Sequence, residues 1–235
     1  GLKLNTVGNL VVADALEGLL SVDSKGNVKV LTNSVNGHPI MFTDDLAIAS
    51  DGMIYFSDAS RKFQLHEHVL DMFEHRPNGS LLSYNPKTKE TTILLDDLYF
   101  ANGVCISPDQ SFILVNETWK YRIKRYWLSG PKKGQTDIFI DNLIGFPDNI
   151  TFNGVSTFWV ALAAGPKSRS TLDPLLPKPA MRKFLLRIPE FLAPQPVFEG
   201  NVLGINLKGE VTHHLQDPTG NTFTNITSVI EHYGM

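Results

Sequence analysis

Residues 45–60, DLAIASDGMIYFSDAS, set out a plan that recurs along the whole chain. The stretch holds a short apolar strand, a polar turn and a longer strand rich in aromatic residues. The same order of features is found in GVCISPDQSFILVNET at 103–118, in NITFNGVSTFWVALAA at 149–164 and in GLKLNTVGNLVVADA at 1–15. A supersecondary unit that repeats at this scale, with four strands in each unit, predicts the blades of a β-propeller.

The predicted fold class is therefore all-β, with one propeller domain over residues 1–235. The pattern gives four blades and the first strand of a fifth, Ile226–Ile230. A β-sandwich is the alternative, but sandwiches lack a repeated internal plan. Two insertions, Phe63–His75 and Met181–Ile188, carry apolar residues at helical spacing between the second and third strands of a blade. We expect short helical lids over one mouth of the propeller, although packed surface helices fit the same pattern.

Composition narrows the classes of partner. The net charge is −3 and no basic stripe is present, which argues against nucleic acid. The basic face of Met181–Ile188 is also compatible with a membrane surface. Cys105 is the single cysteine, so no internal disulfide forms. The sequons at Asn78, Asn116, Asn149 and Asn225 would allow glycosylation in the secretory pathway.

Polar residues precede three of the predicted inner strands, which are Leu46–Ala49, Gly103–Ser107 and Ile150–Phe152. The polar residues are Asp44 with Asp45 in FTDDLAI, Asn102 in FANGVCI, and Asp148 with Asn149 in FPDNITF. The first strand of each blade lines the central channel, so equivalent positions face one axis. Carboxylate and amide oxygens converging there favour Ca²⁺ over Zn²⁺. The alternative is that these Asp and Asn residues only cap turns before strands.

The blocks FTDDLAI, GSLLSYNPKTKETTILLDDLYFANGVCISPDQSFILVNET, YRIKRYWLSGPKKG and GFPDNITF resemble the strictosidine-synthase-like family. More distantly they resemble the paraoxonases and gluconolactonases, six-bladed hydrolases that depend on calcium. The resemblance implies six blades, of which this chain lacks the first and the closing strands. It also implies that Asp44, Asn102, Asp148 and Asn149 hold the metal, and that Asp148 is the catalytic base or nucleophile.

The function that the resemblance implies is Ca²⁺-dependent hydrolysis of esters or lactones, with a small-molecule substrate. A condensing enzyme of the strictosidine synthase type is an alternative, but Thr227 occupies the position of its catalytic glutamate and cannot act as general acid or base. A non-catalytic binding propeller with a structural metal is the other alternative. We expect a secretory, endomembrane or vacuolar location, with membrane association only through a segment before Gly1.

Overall fold

The computed structural model describes residues 1–188, 197 and 199–231. Within them, four antiparallel sheets of four strands each follow one another along the chain, and every sheet is a meander. The first blade contains β1 (Leu2–Leu4), β2 (Leu10–Asp14), β3 (Gly18–Val22) and β4 (Val28–Thr32). A two-stranded hairpin, β5 (Ser34–Val35) and β6 (His38–Pro39), leads into the second blade.

The other three blades repeat this order of strands. The second contains β7 (Thr43–Ile48), β8 (Ile54–Asp58), β9 (Gly79–Asn85) and β10 (Glu90–Leu98). The third contains β11 (Ala101–Ile106), β12 (Phe112–Glu117), β13 (Arg122–Trp127) and β14 (Thr136–Ile140). The fourth contains β15 (Phe146–Phe152), β16 (Thr157–Ala164), β17 (Gly200–Asn206) and β18 (Val211–Asp217). The predicted propeller blades are confirmed.

The hydrophobic core lies between successive blades. One cluster joins Val11 and Leu19 of the first blade to Phe56 of the second, and another joins Leu81 of the second blade to Ile113 of the third. The largest cluster lies between the third and fourth blades and is rich in aromatic residues. Full burial of one such side chain contributes about 1.5–3 kcal/mol. Packing between blades therefore holds the repeated sheets around their common centre.

Both predicted insertions are helical. A 3₁₀ turn at Leu65–Glu67 precedes α1 (His68–Glu74) between β8 and β9. The connection from β16 to β17 contains α2 (Pro166–Leu172), a 3₁₀ turn at Asp173–Leu175, and α3 (Pro179–Leu185). The sequence did not predict α2. No helix in the described part of the chain is long and apolar enough to cross a membrane.

The prediction of a β-strand at Ile226–Ile230 is wrong, because residues 226–230 have no regular secondary structure. The segment nevertheless runs beside β15. The Asn149 N–H donates to Thr227 O, at 3.1 Å, and the Thr151 hydroxyl donates to Val229 O, at 2.7 Å. The inner strand of a blade forms its ladder of hydrogen bonds with the second strand of the same blade. No described residue forms such a second strand beside residues 226–230.

Candidate metal centre

Each inner strand of the second, third and fourth blades carries a bulge at the same place. In every case the pairing with the second strand skips, so that two inner residues face one partner. The three sets are Asp44 and Asp45 opposite Ser57, Asn102 and Gly103 opposite Asn116, and Asp148 and Asn149 opposite Ala161. A bulge breaks the strict alternation of a strand and re-aims the side chains within it. The predicted site residues therefore all lie in equivalent bulges, with Asp44, Asn102 and Asp148 at the first position and Asn149 at the second.

The carboxylates from different blades influence one another electrostatically. Burial raises the pKa of Asp148 to about 8, and the negative charges of Asp44 and Asp45 add to the shift. Burial and the neighbouring Asp45 likewise raise the pKa of Asp44 to about 7. Because the pKa of Asp148 responds to both Asp44 and Asp45, the carboxyl groups of the second and fourth blades lie within electrostatic range of one common centre, where Asp44 and Asp148 are half-buried.

Two amide oxygens of the same centre lack hydrogen-bond partners. Oδ1 of Asn102 and Oδ1 of Asn149 are buried and accept no hydrogen bond. The Asn149 Nδ2 donates to Thr227 O, at 2.9 Å, which fixes the orientation of that amide. The Asn102 amide also lies close enough to the Asp148 carboxylate to favour its ionised form. A buried oxygen without a donor is costly unless a cation or another donor satisfies it.

These residues fit a hard cation. Carboxylate and amide oxygens are the ligands that Ca²⁺ takes, and a divalent charge would offset the repulsion among the carboxylates. Among the described residues, no group of three or more His, Cys, Asp or Glu side chains has the arrangement of a metal site. A cation here would have to use the Asn102 and Asn149 amide oxygens as well as the carboxylates, and Ca²⁺ at Asp44, Asn102, Asp148 and Asn149 stays a prediction.

Asp45, which the sequence places beside Asp44 without assigning it as a metal ligand, belongs to the same cluster. It is only 6% exposed, and its Oδ2 accepts the Val104 N–H, at 2.9 Å. Burial raises its pKa. The Ser57 hydroxyl accepts the Asp45 N–H, at 3.0 Å, and so satisfies a backbone group that the bulge leaves without a ladder partner. The doublet Asp44-Asp45 was the available signal, but only the bulge explains why both residues contribute.

Asp148 is held in place from the neighbouring blade. The Asn116 Nδ2 donates to the Asp148 carbonyl oxygen, at 2.5 Å, and the Thr118 hydroxyl donates to Pro147 O, at 2.8 Å. Asn116 is fully buried and Thr118 is 4% exposed. Gly103 allows this close approach, because a Cβ there would lie 2.5 Å from the Asp148 oxygen. The third blade therefore fixes the backbone of the strand that carries Asp148.

The two helical insertions rise from the same mouth as this cluster. Thr43, beside Asp44, pairs with Asp58 at the end of β8, and α1 follows β8. At the start of β15, Phe146 pairs with Ala164 at the end of β16, and α2 and α3 follow. The insertions are connected to each other because Arg182 of α3 donates to the α1 carbonyls of Phe73 and Glu74.

Comparison with known proteins follows the same blocks of sequence. Residues 44–131 match the family model for strictosidine synthase. The chain is 37% identical to a rat adipocyte plasma membrane-associated protein over 247 residues, covering 100% of this chain and 65% of the relative. It is 36% identical to strictosidine synthase-like protein 6 of Arabidopsis thaliana, covering 92% of this chain and 58% of that relative. The predicted resemblance to the strictosidine-synthase-like family is confirmed.

Solved structures show the same propeller architecture. A gluconolactonase from Xanthomonas campestris superposes with a TM-score of 0.64 and 17% identity, covering 93% of this chain and 62% of the other. A calcium-binding regucalcin from Agrobacterium tumefaciens superposes with a TM-score of 0.59 and 15% identity, covering 91% of this chain and 58% of the regucalcin chain. At these identities the likeness concerns the fold. This chain therefore covers 58–65% of the length of each of these relatives and solved structures.

Proposed function

We propose that the protein is a Ca²⁺-dependent hydrolase of ester or lactone substrates, with its reaction centre at the mouth that the helical insertions border. The observation that carries the proposal is the convergence of carboxylates with raised pKa and orphaned amide oxygens on equivalent bulges. Perturbed carboxyl groups cluster at functional sites, because structural positions rarely keep like charges together in a poorly solvated centre.

Asp44, Asn102, Asp148 and Asn149 would hold the cation. When bound, the ion would polarise the substrate carbonyl and stabilise the developing oxyanion. Asp148 would take the proton of an attacking water, or attack the carbonyl itself. In the metal-free protein its pKa is raised to about 8, and the charge of a bound cation would lower it, so that the carboxylate is ionised and can accept a proton near neutral pH. The hydrogen bonds from Asn116 and Thr118 keep its backbone fixed throughout.

Two of the similar solved structures support this reaction class. One is a gluconolactonase and another a calcium-binding protein, and both share the propeller fold. A condensation that needs a carboxylate at position 227 is disfavoured, because the Thr227 hydroxyl cannot act as general acid or base near neutral pH. Adipocyte plasma membrane-associated relatives also support an endomembrane or secretory location. Of the four sequons, Asn225 has an exposed side chain, whereas Asn116 is fully buried.

The test is hydrolysis of a panel of aryl esters and lactones by the purified protein, with Ca²⁺ or with excess EGTA. We expect turnover with Ca²⁺, loss on chelation, and recovery when Ca²⁺ is restored. Asp148→Asn removes the base and should lower kcat by about 10²–10⁴-fold. The matched control is Asp96→Asn, which makes the same change at an exposed position on β10. Turnover that is equal with EGTA, or equal in Asp148→Asn, would contradict the proposal.

A further inference from the structure

The outer surface of the two helical insertions combines exposed apolar side chains with positive charge. On α3, Met181 is 47% exposed and Phe184 is 65% exposed, and Leu186 follows at 40%. On the first insertion, Leu65 is 47% and Val69 is 41% exposed. We call these five residues the lid face. Apolar side chains grouped on the insertions, away from the cores between blades, are typical of an interaction surface rather than of packing.

The charge around the lid face is strongly one-sided. Residues 165–188 contain six Lys and Arg residues and one acidic residue, Asp173, in a chain of net charge −3. Lys178, Lys183 and Arg187 are exposed beside the apolar side chains of α3.

The acidic groups of the insertions offset this charge only in part. Glu74 and Asp173 each pair with one basic residue, Asp71 is buried, and Glu67 accepts a backbone N–H. The contacts are Glu67 with Gln64, Asp71 with Ser60 and Trp119, Glu74 with Lys62, and Asp173 with Arg169. The solvent-facing charge near Phe184 is therefore positive, and a complementary partner is anionic.

The two insertions that carry the lid face are held in place by hydrogen bonds. Arg182 donates from α3 to Glu74 O at the end of α1, at 3.0 Å. Asp71 on α1 is fully buried and accepts the Trp119 indole N–H, at 2.9 Å, and the Ser60 hydroxyl, at 2.6 Å. These bonds fasten both insertions to the blades and to each other. A rigid surface needs little ordering on binding, which favours association with a flat partner.

We propose that the lid face is a docking surface for an anionic lipid bilayer, with Phe184 and Met181 entering the headgroup region and Lys178, Lys183 and Arg187 meeting acidic headgroups. A short amphipathic helix with Lys and Arg beside Phe, Leu and Met lies in the interface plane of a membrane rather than across it. Docking in this way would place the mouth that holds Asp44, Asn102 and Asp148 against the bilayer. The inference concerns binding and stands independently of hydrolysis.

The experiment is co-flotation of the purified protein with phosphatidylcholine vesicles, prepared with and without phosphatidylserine. We expect binding to the anionic vesicles and little binding to neutral ones. Phe184→Ser should weaken partitioning roughly ten-fold or more, because it removes the largest exposed apolar group. Lys183→Gln with Arg187→Gln should weaken it roughly 25-fold, since each basic residue near an anionic surface contributes roughly five-fold.

Matched controls lie at the opposite mouth of the blades. Val155 is 79% exposed in the β15–β16 turn, so Val155→Ser removes an apolar group far from the lid face. Lys25→Gln with Lys87→Gln neutralises two exposed bases in the β3–β4 and β9–β10 turns. Both controls should bind like the parent, and circular dichroism should show that every variant is folded.

Three outcomes would overturn the docking surface. They are absence of parent binding to anionic vesicles, unchanged binding of the lid-face variants, and equal losses in the controls. If the lid-face variants lose vesicle binding while hydrolysis is never detected, docking stands and the proposed reaction fails. If chelation abolishes hydrolysis while all variants float equally, the reaction stands and docking fails.

Discussion

Replacing Asn116 with alanine tests whether the third blade positions Asp148. The substitution removes a fully buried amide whose Nδ2 donates to the Asp148 carbonyl oxygen, at 2.5 Å. A buried carbonyl left without its donor costs about 1–3 kcal/mol. The loss of the orphaned Asn116 Oδ1 acts in the opposite direction, since that buried oxygen accepts no hydrogen bond. We therefore expect the free energy of unfolding to fall by about 2 kcal/mol.

The effect on calcium separates positioning from simple packing. Asn116 is not among the proposed ligands, but groups that orient ligands typically change metal affinity by about 10–100-fold. The calcium-induced rise in unfolding free energy should shrink by about 1.4 kcal/mol for each ten-fold loss of affinity. The measurement is urea denaturation with EGTA and at a series of Ca²⁺ concentrations, with isothermal titration of the folded protein.

Asn27→Ala provides the matched control, because Asn27 is exposed and its Nδ2 donates to Asp23, at 2.8 Å. An exposed amide of this kind should contribute about 0.5 kcal/mol or less, and its loss should leave the calcium response unchanged. The reasoning about Asn116 is refuted if Asn116→Ala is as stable as Asn27→Ala. It is also refuted if the variant is destabilised while calcium affinity equals that of the parent.

Three further predictions concern the same mouth. Asp148 and Asp44 have raised pKa values, about 8 and about 7, so the folded metal-free protein retains protons that the unfolded chain releases. Between about pH 4 and these folded pKa values, the free energy of unfolding should therefore fall by up to about 1.4 kcal/mol per pH unit for each carboxyl group. Thermal denaturation in EGTA measures this loss, and Ca²⁺ should reduce it. A melting temperature in EGTA that rises over this interval would contradict it. Gly103→Ala should destabilise the fold by about 1–3 kcal/mol in urea titrations, since its Cβ would lie 2.7 Å from the Asn149 Cα, and parent-like stability would contradict the close approach. Asp71→Ala should loosen α1 and speed amide hydrogen exchange over 65–75 but not in β13, because Asp71 links α1 to Trp119; equal protection in parent and variant would exclude that link.

The sequence predicted the blades well, because strand alternation and turn residues are local signals. It placed the inner strands too late, at Leu46, Gly103 and Ile150, whereas β7, β11 and β15 begin three, two and four residues earlier. The reason is physical: a bulge puts two polar residues inside a strand, and in sequence they look like a turn before it. Periodicity alone cannot distinguish the two arrangements.

The parts of the candidate site that sequence reasoning missed depend on contacts between blades. Asn116 lies in an apolar strand and donates a hydrogen bond to the carbonyl of Asp148, 32 residues further along the chain. No local sequence pattern predicts such a contact. Asp45 was visible beside Asp44, but its burial follows from the partner Val104 on the next blade. Helix α2 begins with Pro166 and has no strong apolar spacing, so the predicted insertion started only at Met181.

The repeated bulges separate where the centre lies from what it contains. Backbone geometry delivers two side chains per blade to the axis whatever those side chains are, and here the three pairs are Asp-Asp, Asn-Gly and Asp-Asn. Exchanging an acid for an amide at one pair would change the charge of the centre stepwise without rebuilding the scaffold. The same fold could in this way carry either a high-affinity cation site or a neutral pocket, with single substitutions between the two.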